Sequence, residues 1–177
     1  MFIDLGANLG NVTSAARRYG VDVIAFEPDP AASAVLESRF GSDSGVRIHR
    51  KAVGATARTA TFYRSPEADA DLGRTESTSL FMRPGKHAGG ETFEAEVVDV
   101  VSFLNAMDSP IGVVKMDIEG AEVECLNAMI DAGLHRRVGS ILAETHERFS
   151  PQIKAGVDAL RERISREGIR NINLDWQ

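Results

Sequence analysis

The residues with the most obvious chemical potential form a turn near the start of the chain, between a short apolar segment and a helical pattern. The turn contains the small and polar residues Gly6, Asn8, Gly10 and Asn11. Glycine lets a backbone turn sharply, and the first N–H groups of a helix are free to bind an anion. The sequence therefore predicts a strand, an anion-binding turn and a helix, in that order.

An acidic residue, Asp4, narrows what this turn can bind. The dinucleotide fingerprint is G-x-G-x-x-G, whereas this turn has Gly6, Asn8 and Gly10, and Asp4 would repel a pyrophosphate. An amino acid is not repelled, because its ammonium can pair with Asp4 while its carboxylate meets the N–H groups beyond Gly6. The pattern favours the methionine half of S-adenosylmethionine over a nicotinamide dinucleotide.

A second carboxylate ends the next apolar segment. We predict a strand from Asp22 to Glu27, followed by Pro28 and by the helix N-cap residue Asp29. A carboxylate at this strand end can accept hydrogen bonds from both hydroxyls of a ribose, so Glu27 is the predicted ribose ligand. The alternative is that the glycines serve only tight packing and that Glu27 is a solvated strand end.

Candidate bases follow two later strands. A neutral nucleophile, such as an alcohol, must lose its proton when it attacks a sulfonium methyl, and open α/β sheets bind ligands at the carboxyl ends of their strands. Asp117 and Glu119 follow one apolar segment, and Glu144 and His146 follow another with a spacing that places both on one face. The predicted catalytic residues are His146 as general base, Asp117 and Glu144. The alternative for His146 is a surface histidine past a strand end.

The same side chains allow a metal-dependent mechanism. Asp117, Glu144 and His146 could hold a divalent cation that lowers the pKa of the acceptor hydroxyl, and this ligand set suits Mg²⁺ or Mn²⁺. The sequence contains no tight ligand-spacing motif, so no metal ligand is assigned. Glu119 and Glu122 are predicted to lie in the first turn of a helix, where negative charge is favourable.

Composition excludes several classes of protein. The 177 residues include 20 Lys plus Arg and 26 Asp plus Glu, which gives a net charge of −6, and only 6% are aromatic. These values argue against a nucleic-acid binder. No apolar stretch approaches the roughly 20 residues that cross a bilayer, so no membrane is expected as a partner. Because Cys125 is the sole cysteine and the start of the chain lacks a signal-peptide pattern, we expect a cytoplasmic protein.

Apolar runs alternate with helical periods along the chain, which is typical of a parallel sheet covered by helices. We predict one α/β domain over residues 1–177, with a mostly parallel twisted sheet and helices on both faces. The predicted strands are Phe2 to Leu5, Asp22 to Glu27, Val46 to His49, Ala60 to Arg64, Thr92 to Val98, Gly112 to Met116, Val138 to Thr145 and Ile169 to Leu174. Tyr19 is assigned to the buried face of the first helix, and a later helix is predicted from Glu119 to Ala132.

A polar segment from about 65 to 91 interrupts this alternation. It is predicted to be either a substrate lid or a disordered insertion. The lid would use hydroxyl and apolar side chains, namely Thr75, Ser77, Thr78, Ser79, Leu80, Phe81 and Met82.

Four stretches of the chain resemble the FkbM-type S-adenosylmethionine-dependent methyltransferases: residues 2–13, 25–30, 51–54 and 114–122. Asn8 in place of the usual middle glycine and the Lys-Met-Asp-Ile-Glu-Gly-Ala-Glu run at 115–122 are specific to that family. The resemblance implies a Rossmann-like class I fold and methyl transfer to a small-molecule hydroxyl, on a sugar or secondary metabolite. It also implies that Ala52 and Val53 lie near the adenine. The full set of predicted cofactor residues is Asp4, Gly6, Asn8, Gly10, Asn11, Glu27, Pro28, Ala52, Val53 and Asp117.

Family members usually carry an N-terminal extension that helps to cover the substrate, whereas the motif here begins at residue 2. A minimal form, a fragment and half of a homo-oligomeric site are all compatible with that start. Two other functions stay open: a nicotinamide-dependent oxidoreductase, and a non-catalytic or partner-dependent cofactor-binding subunit.

Overall fold

The computed structural model describes residues 1–66, 78–79 and 84–176. The strands are β1 Phe2–Leu5, β2 Val23–Phe26, β3 Val46–His49, β4 Ala52–Gly54, β5 Arg58–Tyr63, β6 Thr92–Asp99, β7 Ile111–Met116, β8 Val138–Ala143 and β9 Ile172–Asn173. The helices are α1 Asn11–Arg17, α2 Pro30–Phe40, α3 Pro84–His87, α4 Val100–Asn105, α5 Glu122–Asp131 and α6 Pro151–Glu167. Short 3₁₀ turns cover Leu134–Arg137 and Glu147–Phe149.

Six parallel strands form the main sheet in the order β3-β2-β1-β7-β8-β9. The chain runs outward from β1 to β3, returns to β7 beside β1, and then runs outward in the other direction. This creates a topological switch point between β1 and β7, where open α/β sheets bind ligands. A smaller sheet has the order β4-β6-β5, with β4 parallel and β5 antiparallel to β6. The predicted α/β architecture with a mostly parallel sheet is confirmed.

Alternation along the central strands explains why helices pack on both faces of the sheet. In β2, Ile24 and Phe26 belong to a core cluster with Leu126 of α5, whereas Val23 and Ala25 pack in a second cluster with residues of α2. Successive side chains of a strand point to opposite faces, so a strand that is apolar throughout needs cover on both.

The predicted helix start at Asp29 is confirmed by its cap, and two other helices begin in the same way. The Asp29 carboxylate accepts the backbone N–H groups of Ala31 and Ala32, and Pro30 occupies the first helical position. Asp99 caps α4, and the Ser150 hydroxyl accepts the N–H of Ile153 at the start of α6. These side chains satisfy N–H groups that have no partner within the helix.

Other local predictions were wrong. Helix α1 ends at Arg17, whose guanidinium bonds to Asp43 and to the Val21 carbonyl, and the chain turns away there. Tyr19 is therefore 87% exposed rather than part of a buried face. Strand β4, with three residues, and α3, a single turn, are too short to produce a readable period and were missed.

Most of the predicted lid, including Thr75, Ser77 and residues 80–82, lies outside the described residues. Thr78 and Ser79 are described, and Ser79 exchanges two backbone hydrogen bonds with Tyr63, at 2.9 and 3.1 Å. Within the described ranges, no helix has the length and apolar character that a bilayer crossing requires.

Candidate functional site

The turn after β1 lies at the switch point and is anchored to β2. The N–H groups of Gly6 and Ala7 both donate to the Phe26 carbonyl, at 3.0 and 2.9 Å. Gly6, Asn8 and Gly10 have φ angles of 78°, 48° and 84°. Glycine reaches this left-handed region without strain, and asparagine tolerates it better than most side chains. Asn8 is therefore compatible with the place that the family gives to glycine.

Gly6 lies directly against the turn that follows β7. A Cβ atom at Gly6 would be 1.7 Å from the carbonyl oxygen of Asp117. The Asp117 N–H donates to the Leu5 carbonyl at 3.0 Å. The two turns on either side of the switch point are thus in backbone contact, and only glycine fits between them.

Glu27 lies beside the glycine turn, as the sequence predicts. The residue is 6% exposed, and its carboxylate accepts the N–H groups of Asn8 and Asp29, each at 2.8 Å. Burial raises the pKa of Glu27 to about 7, although both N–H groups act in the opposite direction. The side chain is therefore held in place before any ligand arrives, at a pKa where a small change of pH alters its charge.

Asp4 differs from its predicted contact. The side chain is fully buried, and Oδ2 accepts the Thr13 hydroxyl at 2.7 Å. Oδ1 lies 3.3 Å from the ammonium of Lys115, a strand residue that sequence reasoning missed. The direct pairing of Asp4 with a ligand ammonium is not supported by this geometry, because a lysine ammonium occupies that position.

The remaining predicted cofactor residues are close to these elements. Asn11 opens α1, and its side-chain oxygen accepts Arg39 Nη1 at 3.2 Å, while Pro28 directly follows Glu27. Ala52 and Val53 are buried in β4, and Val53 packs in the same cluster as Phe26. Their proximity to an adenine stays a prediction.

The predicted catalytic residues lie around one imidazole, that of His146. His146 is 1% exposed, so the surface alternative was wrong. Its Nε2 atom is surrounded by carboxylate oxygens of Asp117 at 3.6 Å, Glu119 at 3.7 Å and Glu144 at 3.8 Å. The strand ends after β7 and β8 thus bring together the three predicted catalytic residues, Asp117, Glu144 and His146.

Glu122 holds the other side of the imidazole. His146 Nδ1 lies 3.0 Å from Glu122 Oε1, and the carboxylate also accepts the N–H groups of Ile118 and Gly120 at 2.9 to 3.2 Å. Because both Glu122 oxygens already act as acceptors, Nδ1 must donate, which leaves the Nε2 lone pair of a neutral ring facing Asp117, Glu119 and Glu144. Glu122 fixes the tautomer and the orientation of His146.

The turn before α5 corrects the predicted start of that helix. Glu119 has a φ of 58° and Gly120 of 113°, so neither is helical and α5 begins at Glu122. Glu122 folds this turn back through the N–H groups of Ile118 and Gly120, and the Ser79 hydroxyl donates to the Glu119 carbonyl at 2.9 Å. Glu119 therefore points its carboxylate toward His146 instead of occupying the first helical turn.

Charge around His146 shifts two pKa values. Burial alone would lower the pKa of His146, but Glu122, Glu119 and Asp117 outweigh it and raise that pKa above its usual value. Burial raises the pKa of Asp117 and Glu144 adds to the effect, while Lys115 and His146 oppose it. The edge of the sheet therefore holds an imidazole that binds protons more tightly than it would in water.

The metal hypothesis gains no support. Possible ligand atoms of Asp117, Glu122 and His146 lie within 4.8 Å of one another, so the nearest set among the described residues includes Glu122 rather than Glu144. Glu122 and His146 Nδ1 already bond to each other, and Glu122 also binds two backbone N–H groups. Because these atoms already have partners, the cluster does not fit a divalent cation without losing those bonds.

Comparisons with known proteins agree with the observed fold. The sequence profile of the Methyltransferase FkbM domain matches residues 4–170. A crystal structure of methyltransferase FkbM from Methylobacillus flagellatus KT superposes with a TM-score of 0.54 at 16% sequence identity, covering 93% of this chain and 36% of that chain. At this identity the likeness shows the fold alone, and the chain spans about a third of that protein. No curated protein matches the chain significantly.

Gly6→Ala tests the backbone contact at the switch point, with Gly20→Ala as the matched control. Both glycines have positive φ angles, but a Cβ atom at Gly20 would meet nothing within 4 Å. We expect Gly20→Ala to lower the free energy of unfolding by about 1–2 kcal/mol. We expect roughly 2–5 kcal/mol for Gly6→Ala, since overpacking adds to the conformational cost. Equal losses in urea unfolding would contradict the contact.

Glu122→Gln is expected to lower the pKa of His146. The substitution removes the negative charge of Glu122, which opposes the lowering of this pKa by burial. NMR titration of the ring protons measures it, and His146→Asn identifies the signals among the four histidines. Glu144→Gln is the control and should shift the pKa less, since its carboxylate lies 3.8 Å from Nε2.

This pKa also fixes the sign of a stability effect. Because the folded-state pKa is raised, the stabilisation by charged His146 is fully present below its unfolded pKa, about 6.5. It is lost as pH rises through the folded-state value. A His146 pKa that is identical in wild type and Glu122→Gln would refute the assigned role of Glu122.

Proposed function

Because the chain belongs to the FkbM methyltransferase family, we propose that it transfers a methyl group from S-adenosylmethionine to a hydroxyl of a small molecule, such as a sugar or secondary metabolite. One observation carries this proposal: a glycine turn with a buried carboxylate, Glu27, lies across the switch point from an oriented imidazole, His146. A donor-binding turn and a base are the two parts that this reaction requires.

The donor half fits a nucleoside with an amino acid attached. Each oxygen of Glu27 accepts one N–H at 2.8 Å. A carboxylate has about four lone-pair positions, so two remain for the 2′- and 3′-hydroxyls of a ribose. In this proposal the glycine turn binds the amino acid half, and Ala52 and Val53 line the adenine. S-adenosylmethionine, when bound, supplies an electrophilic methyl group.

The acceptor half supplies the base. His146 Nε2 would take the proton of the acceptor hydroxyl. Bound S-adenosylmethionine would supply the methyl group, with its carbon–sulfur bond breaking as the carbon–oxygen bond forms and a neutral thioether as the leaving group. The Asp117, Glu119 and Glu144 carboxylates, within 3.6 to 3.8 Å of Nε2, stabilise the imidazolium that results. The raised pKa of His146 makes it a stronger base than free imidazole.

The proposed acceptor is a small molecule, and neither a nucleic acid nor a membrane is a proposed partner. The net charge of −6 disfavours a phosphate backbone as partner. The carboxylates of Asp117, Glu119 and Glu144 surround the proposed base and would repel a negatively charged acceptor. A neutral polyol or phenol is therefore the class of acceptor that this charge favours.

Glu27→Gln tests the donor site, with Glu37→Gln on α2 as the matched control. Calorimetric titration with S-adenosylmethionine should show roughly 30-fold weaker binding for Glu27→Gln, since a charge-assisted hydrogen bond contributes about 2 kcal/mol. Glu37 lies at the surface and pairs with Arg50, so its substitution should leave the affinity unchanged.

The pH dependence of the same binding gives an independent check. With the Glu27 pKa at about 7, wild-type affinity should fall as pH drops below 7, because a protonated carboxyl cannot accept both ribose hydroxyls. Glu27→Gln should lack this dependence. Wild-type binding that is flat between pH 5.5 and 8, or binding of NADH instead, would contradict the donor assignment.

His146→Asn tests the base once an acceptor is found by transfer of labelled methyl to a panel of polyols and phenols. We expect kcat to fall at least 100-fold, with the affinity for S-adenosylmethionine within twofold of wild type. His135→Asn is the control, because His135 is also buried but lies on the turn Leu134–Arg137 before β8. Wild-type kcat in His146→Asn would remove the imidazole from the mechanism.

A further inference from the structure

Lys115 is a buried lysine in the middle of the parallel sheet. It belongs to β7, pairs in register with Asp4 of β1, and is 2% exposed. Lysine is almost never this buried unless its ammonium is paired. The partners of this ammonium therefore indicate the role of the side chain.

The ammonium lies under the glycine turn. Nζ donates to the Gly6 carbonyl at 2.5 Å and to the Leu5 carbonyl at 3.4 Å. It lies 3.3 Å from Asp4 Oδ1 and 3.8 Å from Asp117 Oδ2, and the ring centre of Trp176 is 5.7 Å away. One side chain thus joins the turn after β1 to the turn after β7.

Stability alone does not account for this arrangement. A buried ion pair is often no more stabilising than apolar side chains of the same size, because both charges lose their hydration. Asp4 Oδ1 has no hydrogen-bond partner of normal geometry in the described part of the chain, so the pair is not optimised as a salt bridge. What Lys115 does satisfy is the Gly6 carbonyl, at the residue where the chain leaves the strand with a φ of 78°.

We propose that Lys115 is a positioning residue for the cofactor: its ammonium holds the Gly6 carbonyl and Asp4, and so keeps the glycine turn in the shape that binds S-adenosylmethionine. This inference rests on the proposed function. The Lys115 ammonium occupies the position beside Asp4 that the sequence had assigned to the methionine ammonium. Lys115 acts through the turn and does not touch the reacting atoms.

The test is a double-mutant cycle at Asp4 and Lys115. Lys115→Met keeps the length of the side chain but leaves Asp4 buried without its cation. Asp4→Asn removes that charge and leaves the lysine contacts to both carbonyls, and the double variant removes both charges. Lys154→Met, at an exposed lysine paired with Asp158, is the control. Each protein is measured by thermal unfolding and by calorimetric titration with S-adenosylhomocysteine.

We expect Lys115→Met to lower both the Tm and the affinity. We expect Asp4→Asn to bind S-adenosylhomocysteine more tightly than Lys115→Met does, because the lysine contacts to both carbonyls remain. The double variant should recover most of the Tm, because no unpaired charge is buried, yet bind at least tenfold more weakly than Asp4→Asn. A purely structural counter-ion would not separate affinity from Tm in this way. If Lys115→Met fails to fold, the comparison of Asp4→Asn with the double variant carries the test.

Two results would overturn the inference. If the double variant binds as tightly as Asp4→Asn, Lys115 is a counter-ion of Asp4 and nothing more. If Asp4→Asn alone abolishes binding, the carboxylate and not the lysine shapes the site. In both cases wild type binds, so the proposed function survives. Absence of binding to wild type would instead overturn the proposed function together with this inference.

Discussion

The geometry of the site depends on the contact between the backbone of Gly6 and the carbonyl of Asp117, where a Cβ atom would come within 1.7 Å of the oxygen. Because β1 and β7 are neighbours at the switch point, the residues that follow them are forced together. A side chain at position 6 would push the two turns apart. The positions of Glu27 and His146, the proposed donor and acceptor sides, are thus both fixed relative to this contact. The proposed methyl transfer between two bound molecules requires such a fixed geometry.

A second constraint is charge. Four carboxylates, those of Asp117, Glu119, Glu122 and Glu144, surround one buried imidazole, and such a cluster is costly unless each charge has a partner. Backbone N–H groups of the turn before α5 partner Glu122, and Lys115 lies 3.8 Å from Asp117. Burial raises the pKa of Asp117 and Glu144 adds to that effect, whereas the carboxylates around His146 outweigh its burial and raise its pKa. Perturbed groups of this kind concentrate at functional sites.

The fold and the location of the site could be predicted from the sequence because each rests on short-range rules. Apolar runs set the strands, and Asp29, Asp99 and Ser150 set the helix starts. The carboxyl ends of parallel strands share one edge, so Glu27, Asp117 and His146 were expected at that edge before any distance was known. The side-chain partners were harder, since they depend on the exact path of each turn.

The roles of Lys115 and Glu122 could not be predicted from the sequence. Lys115 lies within an apolar run and reads as part of a strand, although its spacing of two from Asp117 places both on one face. Glu122 reads as a favourable charge in the first turn of a helix. Its contact with His146 exists because Glu119 and Gly120 adopt positive φ angles, and no periodicity in the sequence reveals that.

The segment between β5 and β6 adds a last constraint, because its described residues contact both halves of the site. Thr78 donates to Asp29 Oδ2 at 2.9 Å, two residues from Glu27, and Ser79 donates to the carbonyl of Glu119, whose carboxylate lies near His146. Asp29 also accepts Arg64 Nε at 2.9 Å, and both side chains are buried. Each buried hydrogen bond of this type costs about 1–3 kcal/mol to break. Any movement that separates Asp29 from Glu119 must therefore break at least one of these hydrogen bonds.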